Sequence, residues 1–372
     1  MYIASIQQLP QAIQQAATSY EQPIAVIMLA ESHAGQINRI IDELVESAIP
    51  FIGAIFPALI HGDRTFTEGA IVNVFPAIAA PILITGLNRD DYHIPELLPA
   101  GAAGTGSPTG IILLDAMTTH TDTLLAGIFN QVGNRIHFFG GCSGFSDLVH
   151  RPCIFTTDGI IRDAAVIALT SLNSSLSARH GWQRLNHEPI IATRTCKNVV
   201  HEMNWEPAYD FYHTSVKTHG ESDVTADAFY NKASYFPLGL YREHQEDVVR
   251  DPLLANTSDQ SIQFASSVPE NSVMYLLHGN TGSLIEAAIT AVDDCCTAAI
   301  QADHCLIMDC FSRTLVLGDA FGRELAAAGR QLQIHGQHAI PEGAVTLGEI
   351  SSYGEDYLEL FNKTIVVGLL YA

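Results

Sequence analysis

Positive charge is scarce in this sequence. Its 372 residues hold 18 Lys and Arg against 40 Asp and Glu, a formal −22. A nucleic-acid surface needs a basic footprint that releases counterions from phosphate. No Lys/Arg cluster interrupts the acidic background, so nucleic acid and anionic membrane are not expected partners, and the acidity reads as solubility. Paired cysteine ligands are missing too. The seven cysteines, Cys142, Cys153, Cys196, Cys295, Cys296, Cys305 and Cys310, are odd in number and contain no Cys-x-x-Cys. That argues against a disulfide framework, a zinc knuckle and covalently attached haem. No apolar run is long enough to span a bilayer without interruption; Ala70 to Thr85 comes nearest, broken by Asn73, Pro76 and Pro81. Met1 to Gln8 has no basic stretch leading an apolar one, so no signal peptide is expected and a cytoplasmic location is.

Catalytic signatures are also wanting. Gly-x-Ser-x-Gly is absent, Gly101 to Gly106 lacks the Lys-Ser/Thr of a phosphate loop, and His201-Glu202 falls short of His-Glu-x-x-His. No metal site and no enzyme is expected. A thiol-dependent enzyme using Cys142 or Cys310 stands as the alternative.

What is present is a large apolar reserve, 47% of residues against 16% charged, enough for two domains. It is arranged in a repeating pattern. Ile24 to Ala30 reads as a buried strand, Glu31 to Gly35 as a loop, and Gln36 to Ser47 as a helix with Ile37, Ile40, Ile41 and Leu44 on one face. Strands at Pro50 to Phe56 and Gly69 to Phe75 follow. The same order returns from Gly110 to Asp115 through a helix to Arg135–Gly140 and Asp163–Leu169. It returns truncated at Val273 to Val292. It returns a last time from His304 to Cys310, with a helix from Thr314 to about Arg330 and strands at Ala344–Ile350 and Thr364–Leu370. The fold expected is therefore α/β: two pseudo-symmetric halves of repeated strand–loop–helix–strand units, with mixed sheets flanked by helices. Tyr92 to Pro108 reads as a connection, Ser171 to Asn186 as a polar boundary, Ala208 to Val216 as a helix, and Glu221 to Asp227 as an acidic linker.

Four strand-to-helix loops carry polar groups: Glu31 to His33, Thr118 to Asp122, Gly279 to Ser283 with Asn280, and Ser312-Arg313. Such loops gather ligands at the carboxyl ends of strands, and Arg313 is a natural partner for a carboxylate. Read singly, Ser32, Thr121 and Ser283 are helix caps. Glu349, in an otherwise apolar strand, either meets an ammonium or metal or pairs with an Arg of the protein. Gly348-Glu349-Ile350 lines up with Gly53-Ala54-Ile55 and with Gly141-Cys142-Ser143, and Glu349 is the one carboxylate of that set.

With these elements in order, the sequence resembles the FIST family. The C-terminal part is similar to its C-terminal domain through Leu306–Arg313, Gly343–Ile350 and Phe361-Asn362-Lys363-Thr364. Asn204–Ala208 and Val249-Arg250-Asp251-Pro252 resemble intervening segments, and Gly140–Asp147 with Ile154–Gly159 resembles the N-terminal domain, Ser143 standing where Ala is usual. The resemblance implies an N-terminal domain over 1–175 and a C-terminal domain over 176–372. It implies a sensory protein that binds a small ligand, for which the candidate contacts in this sequence are Arg313, Glu349, Ser312, Cys142, Ser143 and Asn280. Output would pass to a partner, a histidine kinase or a cyclic-dinucleotide enzyme. It allows two ligands: an amino-acid-like metabolite, or non-covalent haem b sensing nitric oxide. His180, in Arg179-His180-Gly181-Trp182, is the first candidate for the iron; His61, His137, His201 and His278 are its rivals.

Overall fold

The computed structural model describes residues 1–98, 107–218, 224–243, 245–297, 300–353 and 357–372. The apolar runs form strands buried along nearly their whole length, as parallel neighbours covered on both faces require. Three complete units share one plan. Each has a lead strand, a helical crossover, a second strand parallel to the lead, a hairpin, and a closing strand antiparallel to the lead. The lead strands are Pro23–Ala30, Thr109–Asp115 and His304–Cys310. The second strands are Phe51–Phe56, His137–Ser143 and Pro341–Thr346. The closing strands are Ala70–Pro76, Ala164–Thr170 and Ile365–Tyr371. The α/β architecture in two halves is as expected, with the truncated unit (strand Val273–His278, helix Thr281–Cys295) leading into the last complete one.

The hairpins interlock the units. The first unit's hairpin, Ala58–His61 with Arg64–Phe66, leaves its own sheet and pairs with the second strand of the third unit. The third unit's hairpin, Glu349–Tyr353 with Tyr357–Phe361, pairs with the second strand of the second unit. The second unit's hairpin, Ile154–Thr156 with Gly159–Ile161, pairs with the second strand of the first. The exchange closes a ring of three six-stranded sheets. Neither half can bury its sheets without strands from the other.

Register fixes which positions correspond. Gly53, Gly140 and Gly343 pair with Ile27, Ile112 and Ile307 at the same step before the ends of the lead strands. The counterpart of Gly53-Ala54-Ile55 is therefore Gly343-Ala344-Val345, not Gly348-Glu349-Ile350, which belongs to the crossing hairpin. Opposite Ala54, Gly141 and Ala344 the hairpins place Ile154, Glu349 and Leu59. Glu349 is still the carboxylate that its two mates lack.

Two other expectations change. The polar stretch after Ser171 is a strand, Asn173–Arg179, paired residue for residue with Ile365–Tyr371. The helix expected from Thr314 to Arg330 is two helices, Phe311–Leu317 and Phe321–Ile334, because Gly318 takes a left-handed φ of +51° between them. The helix expected at Ala208 is present as Ala208–Thr218. Much of the connection expected over Tyr92–Pro108 (99–106) and of the acidic linker over Glu221–Asp227 (221–223) lies outside the described residues.

Candidate functional site

A buried polar cluster fills the carboxyl end of the third lead strand. Arg313 is fully buried. Its Nε donates to Glu324 Oε1 at 2.8 Å, Nη2 donates to the same oxygen and, at 2.6 Å, to the Leu284 carbonyl, and Nη1 donates to the carbonyls of His180 and Lys363. Asp309 Oδ1 lies 3.7 Å from its Nε. Burial and the neighbouring Glu324 push the Asp309 carboxyl well above the usual carboxylate range, and it is Glu324 that takes two donors of Arg313. Arg313 therefore has no face left for a ligand. It is a staple through the core, which corrects its expected role.

Beside it lies a second buried pair. Lys363 Nζ stands 3.2 Å from Asp251 Oδ1, both side chains almost wholly buried, and Nζ has no aligned hydrogen bond. The rings of Trp182 and Tyr230 lie over the ammonium at 5.4 and 5.8 Å. Tyr230 OH reaches Asp251 Oδ2 at 3.3 Å. Of the other expected residues, Ser312 is half-buried, its hydroxyl 3.4 Å from Cys310 Sγ. Cys142 is buried, and burial and then Glu349 raise its thiol, as burial raises that of Cys310 to about 12; neither is poised as a thiolate nucleophile. Ser143 donates to the Leu114 carbonyl at 3.0 Å. Asn280 caps helix Thr281–Cys295, accepting from the Gly282 and Ser283 backbone N–H groups in a capping box, so its oxygen is occupied. The structure thus gathers Arg313, Ser312, Glu349 and His180 around the third strand end, reaches Cys142 through Glu349, and leaves Ser143 and Asn280 in local bonds.

Glu349 is buried, accepting from Thr346 Oγ1 at 2.7 Å and from the Thr364 N–H at 3.3 Å. Burial pushes its carboxyl up from 4.5 to about 8. Below pH 4.5 folded and unfolded chains both hold this proton; between 4.5 and 8 only the folded chain does. Its contribution to stability is therefore present at low pH and lost as pH rises through that window, by up to ~5 kcal/mol. Glu349→Gln, which removes the titration, is expected to melt higher than the parent at pH 8.5 and close to it at pH 4.5. Melting curves with the same pH slope in both proteins would refute this.

Haem ligation through His180 fails on hydrogen bonding. A neutral imidazole carries one N–H and one lone pair. His180 Nδ1 accepts the Trp182 N–H at 2.9 Å, so Nε2 carries the hydrogen and has no lone pair for iron. Burial, and then the charge of Arg313, hold the ring neutral against the pull of Glu246, whose Oε2 lies 3.7 Å from Nε2. An ionic surround replaces the apolar walls that a macrocycle needs. The residues around His180 do not fit haem.

Space for a small ligand exists elsewhere. A cavity of about 460 Å³ opens where helix Thr121–Val132 of the first half and the crossing hairpin of the third unit meet the nine-stranded sheet. Arg242 Nη2 donates to Glu359 Oε1 at 2.8 Å, and Arg250 Nη2 faces the same oxygen at 3.7 Å. Arg250 Nε holds the Ser267 carbonyl at 2.8 Å, and the buried Nε of Arg242 has no hydrogen-bond partner. Asp122 lies across the cavity, accepting from Ser267 Oγ, with Leu125, Leu240 and Leu358 as apolar wall. None of these residues was singled out as a ligand contact from the sequence, because they come from separate segments with no shared spacing. The cavity adjoins the buried pair along the chain: Arg250 directly precedes Asp251, Leu360 stands three residues before Lys363, and Arg250 Nη1 contacts the Leu360 carbonyl at 3.5 Å.

Interlocked strand–helix–strand units with a cavity lined from both halves define an α/β architecture. Family models give that class its place: one described as FIST N domain matches residues 24–206 and one described as FIST C domain matches residues 208–352. The chain belongs to the FIST family, whose domains are sensory domains of signal-transduction proteins. No curated protein matches it. Among the described residues, no helix is long and apolar enough to cross a membrane.

Proposed function

We propose that this protein senses a small amino-acid-like metabolite in the cavity between its halves and passes occupancy to a signalling partner, a histidine kinase or a cyclic-dinucleotide enzyme. One observation carries the reading: two arginines converge on the single carboxylate of Glu359 inside a cavity whose walls come from both halves. A ligand carboxylate takes the unpaired Nε of Arg242 and the Nη2 of Arg250. Asp122 and Glu359 then face a ligand ammonium, and the leucines cover an apolar body. A cavity of about 460 Å³ matches a ligand of metabolite size. A ligand that prefers one spacing of the two halves shifts the population toward it.

The test is a thermal-shift and calorimetric screen of the whole protein against amino acids and small organic acids. At least one is expected to bind, and Arg242→Met is expected to weaken that ligand about 10- to 100-fold, the worth of one charge-assisted hydrogen bond. Ala126→Trp, which fills the cavity, is expected to abolish binding. A screen without any binder, together with a Soret band after haem addition, would replace this reading with haem sensing.

A further inference from the structure

The mouth of the second unit is short of positive charge. Asp115 ends the lead strand Thr109–Asp115 and is buried; Asp163 directly precedes the closing strand Ala164–Thr170 and is buried as well. His150 reaches them from the loop over residues 144–153, with its side chain 32% exposed. Its Nε2 lies 2.9 Å from Asp115 Oδ2 and 3.7 Å from Asp163 Oδ1. The Asp115 carboxylate is oriented by the backbone: Oδ1 accepts the Met117 N–H at 3.0 Å and Oδ2 the Asp163 N–H at 2.6 Å. The Asp163 carboxylate is different. It belongs to a residue only 6% exposed, and no hydrogen bond from the described residues reaches it. Its other cationic neighbour is Arg162, 3.6 Å away on a largely exposed side chain.

One imidazole, with only the largely exposed Arg162 beside it, gives two buried carboxylates little compensation, and poorly compensated buried charge is costly. The three donor atoms all lie within 4.8 Å of one another. Around an ion with bonds of about 2.0–2.2 Å, ligand atoms stand roughly 3.0–3.5 Å apart. The distances of 2.9 and 3.7 Å bracket that spacing. Backbone N–H groups on Asp115 provide the outer support that orients a metal-binding carboxylate.

We propose that Asp115, His150 and Asp163 form a binding site for a divalent transition-metal ion, Zn²⁺ or Mn²⁺ by its mixed imidazole and carboxylate donors. Water completes the coordination at the exposed edge of His150. The ion ties the loop over 144–153 to the strand ends of its unit. The same loop carries Ser146, whose N–H and hydroxyl grip Glu31 of the first unit at 2.8 and 2.7 Å. Metal occupancy thus bears on how the first two units hold together. The proposal stands independently of the ligand in the inter-half cavity.

The test titrates the whole protein, stripped of metal by a chelator, with Zn²⁺ by calorimetry and with Co²⁺ by its visible absorption. One ion per chain is expected, with Co²⁺ bands that Zn²⁺ displaces. His150→Ala and Asp163→Asn are expected to weaken binding by about tenfold or more and to lose the bands while keeping the parent's circular dichroism. Asp115 is left intact because its carboxylate holds backbone groups in place. A chain that takes up no ion, or variants that bind as tightly as the parent, would overturn the proposal and leave His150 as a hydrogen-bond partner of Asp115.

Discussion

Arg313→Met is expected to leave a markedly destabilised protein. The substitution removes the cation from a pocket where Glu324 and Asp309 are fully buried. It also strips donors from the carbonyls of His180, Leu284 and Lys363. Breaking a buried pair by deleting one partner costs about 3–5 kcal/mol, and each carbonyl left dry adds roughly 1 kcal/mol or more. For a chain of this length such a loss lowers the melting temperature by about 5 °C or more. The charge component is separable. Arg313→Met with Glu324→Gln leaves no orphan carboxylate there and is expected to regain part of the loss. A single variant that melts with the parent would show that Arg313 is dispensable to the core, and would return it to consideration as a ligand contact. A double variant no better than the single would place the cost in the lost carbonyl bonds alone.

Arg313 also shows where sequence reasoning stopped. Its position at a strand end suggested a ligand carboxylate, and a carboxylate is indeed there, but it is Glu324 of the protein. Glu324 lies on the helix Phe321–Ile334, where a charged residue among Arg and Gln reads as a solvated face. Only the packing of that helix against Thr281–Cys295 and the third sheet buries it. The strands were far more legible. Their apolar runs are continuous because they are covered on both faces, and that property survives without knowing any partner. Hairpin exchange was not legible. Ala58–His61 pairs with residues more than 280 positions away, and nothing in four residues names a partner at that distance. Lys363 and Asp251 lay in two segments that carried the family resemblance, yet their meeting depends on the same exchange. Arg242, Arg250 and Glu359 form a site only after the third unit's hairpin has crossed to the second.

The parallel pairing of lead and second strands makes its own demand on sequence, and Gly343→Ala is expected to show it. A Cβ at Gly343 would lie 1.8 Å from the Ile307 carbonyl oxygen, and one at Gly140 would lie 1.8 Å from that of Ile112. These are backbone atoms of the parallel partner strand, so no rotamer relieves the contact. The ladder between lead and second strand must open, at a cost of about 3 kcal/mol or more. Gly53 occupies the same place in the first unit, but its Cβ would meet the Phe155 ring at 2.1 Å rather than backbone. Phe155 belongs to the hairpin that arrives from the second unit, paired directly opposite Gly53. Gly53→Ala should therefore cost about 1–3 kcal/mol and be partly rescued by Phe155→Leu, which withdraws the ring. Gly343→Ala should resist rescue by trimming Ile60, its partner on the hairpin from the first unit. Denaturant melts of the two pairs distinguish the cases. Equal rescue in both would mean that side-chain crowding, and not the close approach of parallel backbones, requires glycine at this step of every unit.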